Sequence, residues 1–177
     1  MNYILLAEQF FNGFQLGIIL FLLAAGLTLI FGIMDLVNLA HGTLYMFGAF
    51  FAATFVQLTD SLVLGMILAL PAMLAAGLLL EVTVLRTLYE RNHLDQVLAT
   101  FGLIIFFNEL FLILWGPEGT GINLPPYLSG IIKLPGGISV PEYRMVIIVS
   151  GLIVALFLYL LVSKTRIGML IRAGASN

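Results

Sequence analysis

The stretch from Phe10 to Met34, FFNGFQLGIILFLLAAGLTLIFGIM, contains no Lys, Arg, Asp or Glu. A helix needs about 20 apolar residues to cross the hydrocarbon core of a bilayer, which is about 30 Å thick. The stretch is long enough, and it is apolar on every side rather than alternating in the manner of a barrel strand. It therefore predicts a membrane-spanning α-helix.

Further runs along the chain share this length and character. They are Leu36–Thr59, Leu62–Leu80, Val97–Trp115 and Met145–Val162. Of the 177 residues, 62% are hydrophobic and 9% are charged, whereas soluble domains carry about 25% charged residues. The sequence predicts an all-α fold, a polytopic transmembrane helix bundle with about five spans.

Charge and motif content exclude several classes of function. The formal charge of -2 argues against nucleic acid as a partner, because phosphate binding requires clustered basic residues. The chain has no cysteine and two histidines, and it lacks both a nucleotide phosphate loop and an H-E-x-x-H motif. We therefore expect no metal site, no bound cofactor and no catalytic residues.

The basic residues predict the orientation of the spans. Arg86 and Arg91 lie between the third and fourth runs, and Lys164, Arg166 and Arg172 follow the fifth. Basic residues near span ends are retained on the cytoplasmic side. This places the N-terminus outside and the C-terminus inside.

The segment 116–143 holds five of the six prolines and many glycines. Proline removes backbone donors, so this segment cannot be a span. The orientation makes it an external loop, which is either a plain connector or an element of docking or gating.

Two groups of polar residues interrupt the apolar runs. Asp35, Asn38 and His41 lie three residues apart between Gly32 and Gly42. They either share one face of a helix or lie at a break in the helix near residues 32–42. They serve structural capping or a translocation path, because intramembrane polar groups face a cavity or the bundle interior.

Asn108 and Glu109 form the second group, inside the fourth run. They fit an interhelical hydrogen bond or a place on the path equally well. A channel for a small neutral solute, a proton-coupled carrier with Glu109 as relay, and a purely structural subunit are alternatives at this point.

Small residues predict where helices pack closely. Gly13 and Gly17 form a G-x-x-x-G pair, and Gly48 begins a second small-residue pair. Such residues let helix backbones approach each other, here within the chain rather than between copies. Pro71 predicts a kink in the third span.

Three motifs along the chain carry a resemblance to a known family. The first is GLTLIFGIMDLVNLAHG at 26–42, followed by YMFG at 45–48. The second is LATFGL at 98–103 with Asn108-Glu109, and the third is TRIGMLIRA at 165–173. These motifs resemble the permeases of bacterial ABC importers for branched-chain amino acids of the LivH type, and the resemblance covers nearly the whole chain.

The resemblance implies a permease subunit that passes leucine, isoleucine or valine across a bacterial or archaeal cytoplasmic membrane. ATP would be used by separate ATPase subunits, and a second homologous permease and a periplasmic binding protein would be partners. Permeases for urea or another small amide are similar and stay an alternative. The translocation path would include Asp35, Asn38, His41, Gly42, Asn108 and Glu109.

Residues 163–177 resemble the cytoplasmic start of the region that couples such permeases to their ATPase. The coupling residues would be Lys164, Arg166, Gly168, Arg172 and Ala173. Lys164 and Arg166 are also suited to anchoring a span end at the lipid headgroups. Because the family continues beyond this region, the resemblance implies that residues 1–177 are one partial or truncated transmembrane domain.

Overall fold

The structure is a computed structural model that describes residues 3–34, 36–166 and 168–169, with the backbone alone for Ile33 and Met34. Its α-helices are α1 (Tyr3–Met34), α2 (His41–Thr59), α3 (Leu62–Leu80), α4 (Arg86–Leu88), α5 (His93–Trp115) and α6 (Glu142–Lys164). A π-helical turn, Glu81–Leu85, joins α3 to α4. Between α5 and α6 lie a 3-10 turn at Pro126–Leu128 and a hairpin of β1 (Ile131–Leu134) and β2 (Ile138–Pro141).

Within the described residues, five helices are long and apolar enough to cross a membrane. They correspond to α1, α2, α3 with its extension to Leu88, α5 and α6. This confirms the predicted polytopic helical fold and its number of spans. One boundary differs, because the second span begins at His41 whereas the charge-free run begins at Leu36.

The chain forms two compact units. The first consists of Met1–Ile33 and Leu124–Asn177, and the second of Met34–Asn123. The first unit therefore contains α1, the hairpin and α6. The second contains the helices from α2 to α5.

In the second unit, α2 and α3 form a tight antiparallel pair. The turn between them places Asp60 in the left-handed region, with φ 50°. The hydroxyl of Ser61 then caps α3 by accepting a hydrogen bond from the backbone N–H of Leu64 at 3.4 Å. Gly65 and Val56 pack directly together beyond this turn, so the pair is held closely from its start.

Aromatic side chains join α2 to α5 in the same unit. The ring of Phe111 lies 4.7 Å from those of both Phe47 and Phe50, measured between centroids. Next to them, the indole N–H of Trp115 donates a hydrogen bond to the Thr54 hydroxyl at 2.9 Å. Aromatic pairs at such distances attract beyond the area they bury. These contacts fix the position of α5 along α2.

In the first unit, α1 and α6 meet where Ile18 packs onto Gly151. The hairpin turns through Gly136 and Gly137, whose φ values of 91° and 83° favour glycine. Glu8 of α1 accepts a hydrogen bond from the backbone N–H of Ser139 at 3.3 Å. The segment 116–143 thus contains a hairpin bonded to the beginning of α1, while its external location stays a prediction.

Candidate functional site

The chain is not helical from Leu36 to Ala40, although the sequence there is largely apolar. Residues 36–38 have no regular structure, and residues 39–40 form a turn. Leu36, Asn38 and Ala40 are all at most 1% exposed. The predicted break in the helix is confirmed, and it is narrower than residues 32–42, because Gly32 belongs to α1 and Gly42 to α2. Asp35 lies outside the described residues.

Two side chains of α5 accept hydrogen bonds from the backbone of the break. The N–H of Val37 donates to Oε1 of Gln96 at 3.0 Å, and the N–H of Leu39 donates to Oγ1 of Thr100 at 3.2 Å. Both side chains are buried, with Thr100 at 0% exposure. Non-helical backbone at membrane depth requires partners of this kind, because water is absent there.

Sequence reasoning missed Gln96 and Thr100. They lie four residues apart, so they share one face of a helix, and Thr100 belongs to the LATFGL motif. The signal that could have revealed them is this pair of polar residues at helical spacing, buried opposite the predicted break. The sequence instead offered Asp35, Asn38 and His41, either as groups that cap the break or as residues of a translocation path.

The other hydrogen bonds of Gln96 run to the segment before α5. Its amide nitrogen Nε2 donates to the carbonyl oxygens of Leu88 and Arg91, both at 3.2 Å. Nδ1 of His93 lies 3.3 Å from Oε1 of Gln96. Gln96 therefore contacts the break on one side and the end of α4 on the other.

Asn38 and His41 occupy the break and the beginning of α2. The backbone N–H of His41 donates to the carbonyl of Asn38 at 3.4 Å, which starts the first turn of α2. The side-chain oxygen Oδ1 of Asn38 is buried and accepts no hydrogen bond from the described residues. A buried acceptor without a partner is destabilising, so its presence in a folded protein calls for an explanation such as strain, a bound water or a bound ligand.

A small pocket lies beside the break. Its volume is about 220 Å³, and its lining includes Leu39, Gly42, Thr43, Met46, Ile104 and Asn108. Two predicted path residues, Gly42 and Asn108, therefore lie on one pocket. Glu109 is exposed and does not line it. The path role of all these residues stays a prediction.

The carboxylate of Glu81, near the break, has a clear hydrogen-bond partner. Glu81, in the π-helical turn, accepts a hydrogen bond from the hydroxyl of Tyr89. Burial, together with the hydrogen bond and the charge of Glu81, raises the pKa of Tyr89 to about 12. The hydroxyl thus stays protonated and remains a donor. Tyr89 also packs against the buried cluster of Leu36, Leu80, Leu85 and Leu88, next to the break.

The close packing predicted at Gly13, Gly17 and Gly48 stays a prediction. A Cβ added at any of them would meet nothing within 4 Å among the described residues. At Gly65 it would lie 2.6 Å from the backbone nitrogen of Val56, and at Gly151 it would overlap Ile18. Within the two units, close packing is therefore observed at Gly65 and Gly151. Pro71 lies inside α3, and the kink expected there stays a prediction.

The predicted coupling residues begin with Lys164, the last residue of α6, and the chain turns sharply after it. The chain becomes extended at Thr165, whose hydroxyl accepts a hydrogen bond from the N–H of Gly168 at 3.2 Å. A Cβ at Gly168 would lie 2.6 Å from the carbonyl oxygen of Leu161. Only glycine fits there, whereas Lys164 and Arg166 are exposed. Arg172 and Ala173 lie outside the described residues.

Five span-length helices and a buried, hydrogen-bonded helix break characterise a multi-pass helical membrane protein. The family described as the permease component of branched-chain amino acid transport systems matches residues 9–177. The chain belongs to this family.

Several relatives carry similar names. The chain is 29% identical over 183 residues to the high-affinity branched-chain amino acid transport system permease protein BraD of Pseudomonas aeruginosa, covering 96% of this chain and 59% of that protein. For the LivH permease protein of Salmonella typhimurium the identity is 26%, with the same coverage. For LivH of Escherichia coli it is 27%, over 70% of this chain and 42% of the relative. The chain thus spans about three fifths, or less, of the length of these relatives. No solved structure matches it significantly.

Proposed function

We propose that this chain forms part of the translocation path of an ABC importer for leucine, isoleucine and valine. In this proposal it is the permease subunit in the cytoplasmic membrane, with its N-terminus outside and its C-terminus inside. The match of residues 9–177 to the permease family supports the proposal. The printed names of the relatives, which specify branched-chain amino acid transport, support the substrate class.

The observation that carries the proposal is the break at Leu36–Ala40. Transport proteins place substrate sites at discontinuous helices, where freed backbone groups and polar side chains lie at membrane depth. The break combines both features, since its amides bond to Gln96 and Thr100 and the amide oxygen of Asn38 has no partner among the described residues. The pocket between Gly42 and Asn108 adjoins it.

The energy source in this proposal lies on other chains. ATPase subunits hydrolyse ATP, a second homologous permease completes the pair, and a periplasmic binding protein delivers the amino acid. The exposed side chains of Lys164 and Arg166 support a cytoplasmic contact surface at the end of α6. Alternation between outward-open and inward-open states is then driven from that surface.

Uptake by the reconstituted complex tests the proposal. The gene product is purified with its ATPase and binding-protein partners, placed in proteoliposomes, and given labelled leucine, isoleucine, valine or urea. We expect ATP-dependent uptake of the three amino acids and none of urea. Uptake of urea alone would assign the chain to the amide permeases. Transport without ATP by the permease alone would refute the importer mechanism.

A further inference from the structure

Gln96 joins the helix break to the segment that precedes α5. Its oxygen accepts from the Val37 N–H at 3.0 Å, while its nitrogen donates to the carbonyls of Leu88 and Arg91 at 3.2 Å each. The side chain is 3% exposed. An amide has one acceptor and one donor group, and Gln96 uses them on two different segments. It therefore bridges residues 88–91 and the break.

Thr100 lies one helical turn further along the same face of α5. Its hydroxyl accepts from the Leu39 N–H at 3.2 Å and donates to the carbonyl of Gln96 at 2.7 Å. A hydroxyl can accept and donate at once. The backbone amides of Val37 and Leu39 are thus each bonded to one of two side chains that are themselves held by other hydrogen bonds.

These bonds matter because the side chains that make them are buried, with Gln96 at 3% and Thr100 at 0% exposure. A backbone N–H without a partner in lipid or protein interior is costly, so a non-helical segment there persists only where partners exist. We propose that Gln96 and Thr100 are positioning residues of the permease. They hold residues 36–40 in their non-helical shape, and Gln96 makes the break follow any movement of residues 88–91.

The inference rests on the proposed function, under which the connection containing Arg86 and Arg91 faces the cytoplasm. In an importer driven by a cytoplasmic ATPase, a displacement of this connection would reach the break through one side chain. Gln96 thereby gives the coupling a physical route, made of contacts within one compact unit. Thr100 has a narrower task, which is to hold the break itself.

Amide hydrogen exchange on the complete permease complex in nanodiscs tests both roles, because it measures the protection of individual backbone amides. Gln96→Leu should speed exchange at Val37, because that N–H loses its acceptor. It should also speed exchange in residues 88–91, because the turn that the Arg91 N–H closes on the Leu88 carbonyl loses its bonds from the Gln96 amide. Thr100→Val should speed exchange at Leu39 and leave residues 88–91 unchanged. The loss of one net hydrogen bond predicts an increase of roughly three- to tenfold at each affected amide. Both variants should lower the rate of substrate uptake.

Two further variants control for general damage. Thr100→Ser keeps the hydroxyl and should retain the protection and uptake of the wild type. Thr83→Val removes an exposed hydroxyl that bonds only within its own helical turn, to the carbonyl of Leu79 at 2.6 Å, and should leave Val37 and Leu39 protected. If Thr83→Val exposed these amides as strongly as Thr100→Val, the specific role would be refuted.

The remaining outcomes are decisive as well. Unchanged protection at Val37 in Gln96→Leu and at Leu39 in Thr100→Val would overturn the positioning role. Faster exchange with wild-type uptake would show that the break shape does not govern transport, which also overturns it. A wild-type complex without uptake would refute the proposed function alone, since the exchange measurements do not depend on transport.

Discussion

Gly65 of α3 lies against the backbone of Val56 in α2, where a Cβ at position 65 would be 2.6 Å from the Val56 nitrogen. Both residues are buried. The opposing Val56 nitrogen is a backbone atom, which cannot rotate aside as the end of a long side chain can. The close approach of these two helices therefore depends on the absence of a side chain at this glycine.

We expect Gly65→Ala to destabilise the protein by about 1–3 kcal/mol, the usual cost of overpacking. Gly77→Ala is the matched control, because it lies in the same helix and a Cβ there meets nothing within 4 Å. Alanine is the better helix former, so this control should be neutral or stabilising. Thermal unfolding in detergent measures both, and a melting temperature for Gly65→Ala equal to that of Gly77→Ala would contradict the packing.

At Gly151 the obstacle is a side chain, which allows a rescue experiment. Gly151→Ala should lower the melting temperature because the new methyl group overlaps Ile18. Truncating the opposing residue in the double variant Ile18→Ala/Gly151→Ala makes room for it. The two changes should then be non-additive, as expected for residues in direct contact. Additive losses in the double-mutant cycle would show that Ile18 and Gly151 do not touch.

The bond between Trp115 and Thr54 predicts a third effect. Thr54→Val leaves the indole N–H without its acceptor, which costs about 1–3 kcal/mol in a buried setting. Thr54→Ser keeps the oxygen and should unfold close to the wild-type temperature. Trp115 is the single tryptophan of the chain, so its fluorescence reports the transition directly. Equal stability of the valine and serine variants would argue against this hydrogen bond.

Asn38 allows stability and function to be separated. Because its Oδ1 is buried without a partner among the described residues, Asn38→Leu removes an unsatisfied acceptor and should not lower the melting temperature. We expect substrate uptake by the complete importer to fall by about tenfold, which corresponds to about 1.4 kcal/mol in the transport barrier. The assay compares initial uptake rates at equal membrane abundance. Wild-type uptake would leave Asn38 with a packing role at most.

His41→Leu tests the neighbouring residue in the same assay. The side chain is half-buried at the first turn of α2, where intramembrane polar groups usually face a path or the bundle interior. Lower uptake without loss of membrane insertion is the expected result. If uptake by this variant matched the wild type, the path assigned near the break would not include the imidazole.

Much of the fold was predictable because membrane spanning is a local property. The length and apolarity of a run decide whether it can cross the bilayer, so α3, α5 and α6 were found close to their observed bounds. The break was predictable too, from polar residues beside glycines. Its extent was not, since the beginning of α2 at His41 depends on hydrogen bonds formed by residues of α5.

The side chains that form hydrogen bonds with the break could not be predicted from the sequence. Val37 and Gln96 are 59 residues apart, and their meeting requires that α5 pack against the break in one register. That register depends on contacts such as Phe47 with Phe111. The close contacts of the glycines could not be predicted from the sequence for the same reason. The close contacts at Gly65 and Gly151 become visible only once the helices have packed, while close packing at Gly13 and Gly17 stays a prediction.

By itself, the sequence determined that the chain spans a membrane with several helices, that one helix is interrupted near residue 38, and that it resembles a permease. Each of these follows from composition, run length or a contiguous motif. Only the tertiary structure decided which side chains satisfy the interruption and which glycines admit a neighbouring helix. Hydrogen bonds and close contacts join residues distant in the chain, and they exist only once the helices have packed.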